Sequence, residues 1–484
     1  MLLKRLYDTT LAQASYLIGC AATGEALVVD PNRDIEQYIE AAEAEGLRIS
    51  HVTETHIHAD FTSGARELAH RTGARLLLSD EGGPDWSYAF ARDADAHLMK
   101  DGHTFMVGNI RIEARHTPGH TPEHMTFLVT DTPATDEPIG AVTGDFVFVG
   151  DVGRPDLLER AAGHAGTMEQ GARQLFRSLA AFKRLPDYLQ IWPGHGAGSA
   201  CGKALGAVPM STLGYERIAN WAFRIEDEAE FVAAVLAGQP EPPKYFAEMK
   251  RINKEGPRLL GGFRRPERLP IDHLVELLAT GTLVVDTRRA ADFAGGHLPG
   301  TISIPLNRSF TTYAGWLIPY DRDFFLVCDH DREHAIDEAV RDLALIGLDR
   351  MGGYLVLDES ELDTWRAAGG HLHTIPQMTP AELAGKLRAG VVSVIDVRGR
   401  LEWEAGRLPG VPNIPLGYVS DRLDEIPAGT VVLQCESGAR SGIAASVLQA
   451  RGRRDVVNLA GGYAAWRKAG LPTDTPRAEP AEIA

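Results

Sequence analysis

His51-Val52-Thr53-Glu54-Thr55-His56-Ile57-His58-Ala59-Asp60-Phe61 is the stretch on which the reading turns. A strand-like run, residues 51–55, feeds straight into a loop holding two histidines and an aspartate. Three other places share this layout. They are His116-Thr117-Pro118-Gly119-His120-Thr121-Pro122-Glu123-His124, Thr143-Gly144-Asp145, and Pro193-Gly194-His195 after the apolar run 189–192. Each sets an imidazole or a carboxylate just past a strand end, where loops gather at the edge of a sheet. Neutral imidazole and carboxylate oxygen suit a borderline divalent metal. Eleven of the 17 histidines lie before residue 200, which marks this part as a metal region. Strand-like segments at 14–20, 26–30, 110–115 and 139–143 alternate with a helical pattern at 34–45, so the class is α/β.

Composition bounds the rest. At 484 residues, three domains are expected, and 44% hydrophobic with 24% charged residues is the mix of a folded chain. The net charge of −17 opposes binding to phosphate backbones, so no nucleic-acid partner is expected. The four cysteines, Cys20, Cys201, Cys328 and Cys435, are far apart and form no C-x-x-C pair. That excludes a disulfide framework and a cysteine-rich zinc module and fits a reducing compartment. The N-terminus lacks the apolar core of a signal peptide, and no run approaches the ~20 residues needed to cross a bilayer. A cytoplasmic protein with no membrane partner is expected; a homo-oligomer is compatible with these features.

Residues 246–270, within a stretch carrying Pro240, Pro242, Pro243, Pro257, Pro266 and Pro270, read as an irregular Pro-rich linker. Beyond it the chain repeats itself. Val284-Val285-Asp286-Thr287-Arg288 matches Val394-Ile395-Asp396-Val397-Arg398, and Gly296 to Leu306 matches Gly406 to Leu416, both at an offset of 110. Cys328 and Cys435 each follow a strand-like run, and Gly352-Gly353-Tyr354 matches Gly461-Gly462-Tyr463. Two copies of about this length suit a tandem α/β pair at 271–372 and 376–475, with a Pro/Glu/Ala-rich tail at 476–484.

The second copy carries thiol chemistry. In Val431-Val432-Leu433-Gln434-Cys435-Glu436-Ser437-Gly438-Ala439-Arg440-Ser441-Gly442, a strand, a cysteine loop and a helix follow in order. Backbone N–H groups and a helix N-terminus under the sulfur favour a thiolate, and Arg440 adds positive charge. The catalytic residues expected are Cys435, Arg440 and Ser441. The first copy has Asp329-His330-Asp331-Arg332-Glu333 after Cys328, and its carboxylates would repel a thiolate. A degenerate copy is expected there.

The order of metal motifs over residues 1–245 resembles the metallo-β-lactamase fold, an αββα sandwich. The hydrolases of that superfamily read H-x-H-x-D-H in the first motif and hold two metals; here Phe61 takes the last place and cannot coordinate. The sequence is similar to the persulfide dioxygenases, the mononuclear iron branch. The resemblance implies one Fe(II) per chain on His56, His120 and Asp145, with His58, Asp60 and His195 flanking the metal and orienting its ligands. Spacing leaves open whether His58 touches the metal. The same branch has an arginine that helps hold an anionic thiol substrate, which implies that role for Arg154. Cys201, on the Gly-rich loop after His195, is expected at or near the entrance to the metal pocket, as a substrate contact or sulfur carrier. The cysteine loop resembles that of the rhodaneses, and Asp396, Arg398 and Gly406-Arg407-Leu408-Pro409-Gly410 extend the match over 376–475. The whole resembles a persulfide dioxygenase followed by two rhodanese-like domains. It implies oxidation of a small thiol persulfide, such as glutathione persulfide, with O2 to sulfite, and sulfane-sulfur transfer with sulfite or thiosulfate through Cys435. The alternatives are a glyoxalase II-like zinc thiolesterase, with a sulfurtransferase or sulfur-carrier domain attached, and a chain that uses its rhodanese domains for binding alone. Phe61 argues against the first and Arg440-Ser441 against the second.

Overall fold

The computed structural model describes residues 1–160, 166–199, 201–202 and 205–474. The expected tail at 476–484 lies outside the described residues. Two compact units form: Met1–Phe263 with Arg341–Gly347, and Arg264–Val340 with Leu348–Ala484.

The first unit is an αββα sandwich. One six-stranded sheet runs in order β1 (Leu2–Asp8), β2 (Gln13–Cys20), β3 (Glu25–Val29), β4 (Arg48–Thr53), β5 (Arg75–Ser79) and β6 (His97–Met99). The other runs β12 (Ser211–Thr212), β11 (Gln190–Pro193), β10 (Gly140–Gly144), β9 (Met125–Asp131), β8 (Ile110–His116) and β7 (Thr104–Val107). Strand β2 is buried along its whole length because both of its faces are covered, whereas β8 alternates buried and less buried residues. Tyr16, Leu27, Val29, Ile112, Phe127 and Trp192 fill the space between the sheets. Helices Glu36–Glu43 and Ala65–Thr72 cover the first sheet through Tyr38 and Leu68. Helix Thr167–Phe182 covers the second with Leu175, Leu179 and Phe182, a helical stripe. Burying each such side chain stabilises by about 1.5–3 kcal/mol.

The expected linker at 246–270 needs correction. Phe246–Glu255 is a helix, and the first unit extends to Phe263. The prolines flank this stretch instead of interrupting it, and Phe246, Met249 and Asn253 fall on one buried face at helical spacing.

The second unit holds two sheets of parallel strands. In the first repeat the order is β14 (Ile302–Ser303), β13 (Leu283–Asp286), β15 (Phe324–Asp329) and β16 (Met351–Leu357). In the second it is β17 (Gln377–Met378), β20 (Val456–Leu459), β19 (Val431–Gln434) and β18 (Ser393–Asp396). Asp286 pairs with Val327 and Asp396 with Gln434, so Cys328 and Cys435 occupy equivalent places one residue on. The Gly-Gly-Tyr match fails. Gly352 to Tyr354 lie inside β16, whereas Gly461 follows β20 and Gly462 opens the helix Gly462–Lys468. The equivalent helix of the first repeat is Glu359–Ala367, so Asp358 and Glu359 stand where the second repeat has its two glycines.

Candidate metal centre and thiol loop

Strand ends build the metal centre. His56 follows β4, His120 precedes β9, Asp145 follows β10 and His195 follows β11. One donor atom from each of His56, His120 and Asp145 lies within 4.8 Å of the others, and all three residues are buried. Backbone and side-chain acceptors orient the rings. His56 Nδ1 pairs with Thr55 Oγ1 at 3.0 Å, and His120 Nδ1 donates to the Arg154 carbonyl at 3.1 Å. Their Nε2 atoms are thereby left for a metal. Burial holds His56 well below and His120 below the usual imidazole range, so both are neutral, as ligation requires. Asp60 and Asp145 have both carboxylate oxygens buried without a hydrogen-bond donor. Stranded buried carboxylates beside the His56 and His120 imidazoles fit a cation.

His58 turns away from this group. Its Nε2 donates to Asp30 Oδ1 at 3.1 Å. Burial alone would lower its pKa, but Asp30, Glu54 and Asp60 raise it to about 9. Phe61 is fully buried, with its ring 4.3 Å from that of His58. His195 Nδ1 donates to the Ala12 carbonyl at 3.0 Å, and its Nε2 faces Asp60 Oδ2 at 3.2 Å and Asp145 Oδ1 at 3.4 Å.

Two expectations are corrected here. Arg154 does not present its fork to a substrate. It is 0% exposed, and its Nε and NH2 donate to Asp156 at 2.9 and 2.8 Å. A buried guanidinium takes the nearest carboxylate, and the Arg154 backbone carbonyl, not its charge, serves His120. Nor does Cys201 stand at an entrance. It is 2% exposed, beside Asp60 and His195, and burial followed by the Asp60 and Asp145 charges raises its thiol pKa well above the usual range. Its sulfur lies within 4.8 Å of donor atoms of Asp60 and His195, inside the cluster and away from solvent.

Residues outside the expected set hold the loops. Asp30, just past β3, accepts from Thr55 N and Thr55 Oγ1 as well as from His58. His124 Nε2 accepts from Asp145 N at 3.2 Å. Asn253 donates to the carbonyls of His58 at 2.8 Å and Phe61 at 2.7 Å, pinning the metal loop from the helix Phe246–Glu255. Asp30 had a readable signal, an acid just after a strand, as at Asp145. Asn253 had none.

In the second unit, Gly438 N donates to Cys435 Sγ at 3.1 Å, and Ser441 Oγ donates to the same sulfur at 3.4 Å. The twelve-residue helix Ala439–Ala450 starts beneath the sulfur. Gly438 has φ 97°, which turns its N–H toward the thiol. Gly462 also requires a hydrogen for a side chain: a Cβ there would lie 2.1 Å from the Cys435 carbonyl oxygen. That carbonyl accepts from Tyr463 N at 2.7 Å and so anchors the loop. Arg440 is not free above the thiol, as expected from sequence, but is forked to Glu402 at 2.6 and 2.7 Å. At Cys328, burial first, then Glu333, Asp329 and Asp286, push the thiol up to about 12.

Among the described residues no helix is long and apolar enough to cross a membrane. Residues 8–195 match the metallo-beta-lactamase superfamily and residues 379–469 the rhodanese-like domain. A crystal structure of a metallo-beta-lactamase from Staphylococcus aureus subsp. aureus COL is 45% identical, with TM-score 0.67, over 74% of this chain and 99% of that one. A hydroxyacylglutathione hydrolase of Chromohalobacter salexigens is 33% identical over 37% of this chain and 60% of its own length. The mitochondrial persulfide dioxygenase of Bos taurus is 27% identical over 40% of this chain and 68% of its own. With its two-sheet sandwich, its strand-end donor cluster and the cysteine loop behind it, the chain belongs to the metallo-β-lactamase superfamily and carries a C-terminal rhodanese-like domain.

Proposed function

We propose that the first unit is an iron-dependent persulfide dioxygenase and that the Cys435 loop is a sulfurtransferase. The observation that carries this reading is the donor set His56, His120 and Asp145, two imidazoles and one carboxylate converging while Phe61 fills the next position. Such a facial set leaves open positions for a sulfur substrate and O2, and a bound Fe(II) would supply the oxygen chemistry. The overall change is RSSH + O2 + H2O → RSH + H2SO3: the terminal sulfur is oxidised, O2 is reduced, and the thiol leaves. Thr55 and the Arg154 carbonyl hold the imidazole tautomers, and Asn253 and Asp30 keep the His56–Phe61 loop in place.

At the second site, Cys435 as thiolate attacks the outer sulfur of thiosulfate or of a small persulfide. The S–S bond to the donor breaks, sulfite or thiol leaves, and Cys435 carries the persulfide. Gly438 N and Ser441 Oγ supply donors to the sulfur. The two activities are complementary, because sulfite made at one site is an acceptor or product at the other.

The similarity to hydroxyacylglutathione hydrolases favours a second reading, a zinc thiolesterase. Metal analysis with paired assays separates the two. Iron near one per chain and O2 uptake with a panel of small-thiol persulfides are expected, both lost in His56→Ala, His120→Ala and Asp145→Ala. Two zinc ions per chain as isolated, with thiolester hydrolysis and no O2 uptake, would replace the dioxygenase by the thiolesterase.

A further inference from the structure

The first repeat lends a piece of its chain to the first unit. Arg341-Asp342-Leu343-Ala344-Leu345-Ile346-Gly347 lies in the sequence of that repeat, from within the helix Ile336–Leu345 to just past its end, yet it packs as part of the metal-binding unit. Two of its groups lead by hydrogen bonds to loops of the metal centre.

The first is the Arg341 guanidinium. Its Nε donates to Asp34 Oδ2 at 2.7 Å, and its NH2 donates to Asp8 Oδ2. Asp8 closes β1 and is buried. Its other oxygen accepts from Thr10 N at 2.8 Å and Leu11 N at 3.0 Å, which fixes the turn into β2. Ala12, next in that turn, has φ 51°, a conformation that a residue with a side chain keeps only when its surroundings enforce it. The Ala12 carbonyl takes the Nδ1 proton of His195, whose Nε2 then faces Asp60 and Asp145. The second group is the Leu345 carbonyl. It accepts from Thr62 N at 2.7 Å, one residue beyond Phe61 and two beyond Asp60. Thr62 is fully buried, and Gly347, with φ 73°, brings its Cα so close that a Cβ would lie 2.9–3.0 Å from Ile252, Met249 and Thr62.

We propose that Arg341 and the Leu345 carbonyl are positioning groups of the metal centre, so that the first repeat, whose Cys328 lacks a thiol cradle, is a working part of the first unit. Without Arg341 the Asp8 carboxylate is buried with no cation beside it, and the turn that aims His195 loses its hold. Without the Leu345 carbonyl, Thr62 N is a buried donor with no acceptor, and the exit of the His56–Phe61 loop loosens. The ligands remain, but their geometry relaxes. The inference rests on the reading of His56, His120 and Asp145 as a metal site, and not on which metal or reaction the site serves.

The test compares wild type, Arg341→Ala, Arg341→Lys and Gly347→Ala as full chains. Cobalt(II) is the probe of the metal centre, and circular dichroism checks folding. Arg341→Ala and Gly347→Ala should keep the wild-type dichroism, bind cobalt about tenfold more weakly and show a shifted ligand-field spectrum, as expected when groups that orient metal ligands are lost. In the iron-loaded proteins, kcat for O2 uptake per bound iron should fall about tenfold, with KM for the persulfide little changed, because neither residue touches substrate. Arg341→Lys should fall between, since an ammonium has no fork with which to hold both Asp8 and Asp34. A folded Arg341→Ala with wild-type cobalt affinity and spectrum would overturn the proposal. So would a raised KM with kcat unchanged, which would make Arg341 a substrate contact. If Arg341→Ala does not fold, the cobalt spectrum of Gly347→Ala decides alone: a shift supports the proposal, and a wild-type spectrum overturns it. If the wild type takes up no O2, the dioxygenase reading fails, while the cobalt comparison still decides whether these groups position the metal centre.

Discussion

Cys328 and Cys435 sit at equivalent points of two parallel sheets, and each is buried. What differs is the backbone around them. Past Cys435 the chain turns at Gly438, aims an N–H at the sulfur and starts a twelve-residue helix. Past Cys328 it continues as strand to Asp329 and then enters a short, irregular helical stretch, His330–Ala335, rich in acids. The cavity around Cys328 is lined by Arg288 and Arg332, but Arg288 is already committed to Asp286 at 2.8 Å. The two regions share a parallel sheet, which is held by apolar packing that tolerates substitution. They do not share the thiol cradle, which depends on a few glycines and on the sign of nearby charge.

The largest expected effect tests this directly. Cys435→Ser should reduce thiosulfate sulfurtransferase activity to background, because no other atom there can carry the sulfur, while O2 uptake with a small persulfide stays within about twofold. Cys328→Ser should leave both activities unchanged. A sulfurtransferase loss in Cys328→Ser would break the contrast between the repeats.

Gly462→Ala comes next. The added methyl meets the Cys435 carbonyl oxygen at 2.1 Å, at a residue with φ 58°. Strain of about 1–3 kcal/mol is expected, seen as a lower melting temperature of the second unit and at least a tenfold loss of sulfurtransferase activity. Wild-type activity in this variant would show that the anchor between Tyr463 N and the Cys435 carbonyl is dispensable.

A pH experiment sharpens the electrostatic half of the contrast. Cys328 is held protonated up to about 12 by burial and by Glu333, Asp329 and Asp286. The thiolate is the reactive form, so alkylation of Cys328 should be slow at neutral pH and rise only in strong alkali. Replacing Asp329 by Asn and Glu333 by Gln removes two of the charges and should move that rise to lower pH. An unchanged profile would assign the inertness to burial alone.

The smallest expected effect concerns Arg440. Its fork is neutralised by Glu402, which is itself partly exposed. Glu402→Gln should free positive charge at the loop and lower KM for thiosulfate by about two- to fivefold, with kcat little changed, in line with the ~0.2–1 kcal/mol of a partly exposed pair. An unchanged KM would show that the Arg440 charge does not act on the anion.

Much of the metal centre was legible because it is local. His56, His120, Asp145 and His195 all stand at strand ends, and period-two hydrophobicity marks where strands end without knowledge of their neighbours. The α/β class and the tandem repeats follow from the same alternation of strand and helix, whereas the αββα sandwich is what the resemblance of the motif order to the metallo-β-lactamase fold implies. Less of the support was legible. Asp30 repeats the strand-end signal, but Asn253 lies nearly 200 residues beyond the loop it pins, inside a stretch whose flanking prolines suggested a linker.

The sequence by itself determined the order of the folds, the strand-end places of His56, His120, Asp145 and His195, and the acidic run that follows the first cysteine. Only the tertiary structure decided where the side chains point. Arg154 turned inward to Asp156, His58 to Asp30, and Cys201 folded in beside Asp60 and His195. The physical reason is that a residue's type and its place at a strand end are set by its neighbours in the chain. The direction of its side chain is settled by whichever buried partner, often far away in sequence, offsets the cost of taking it out of water.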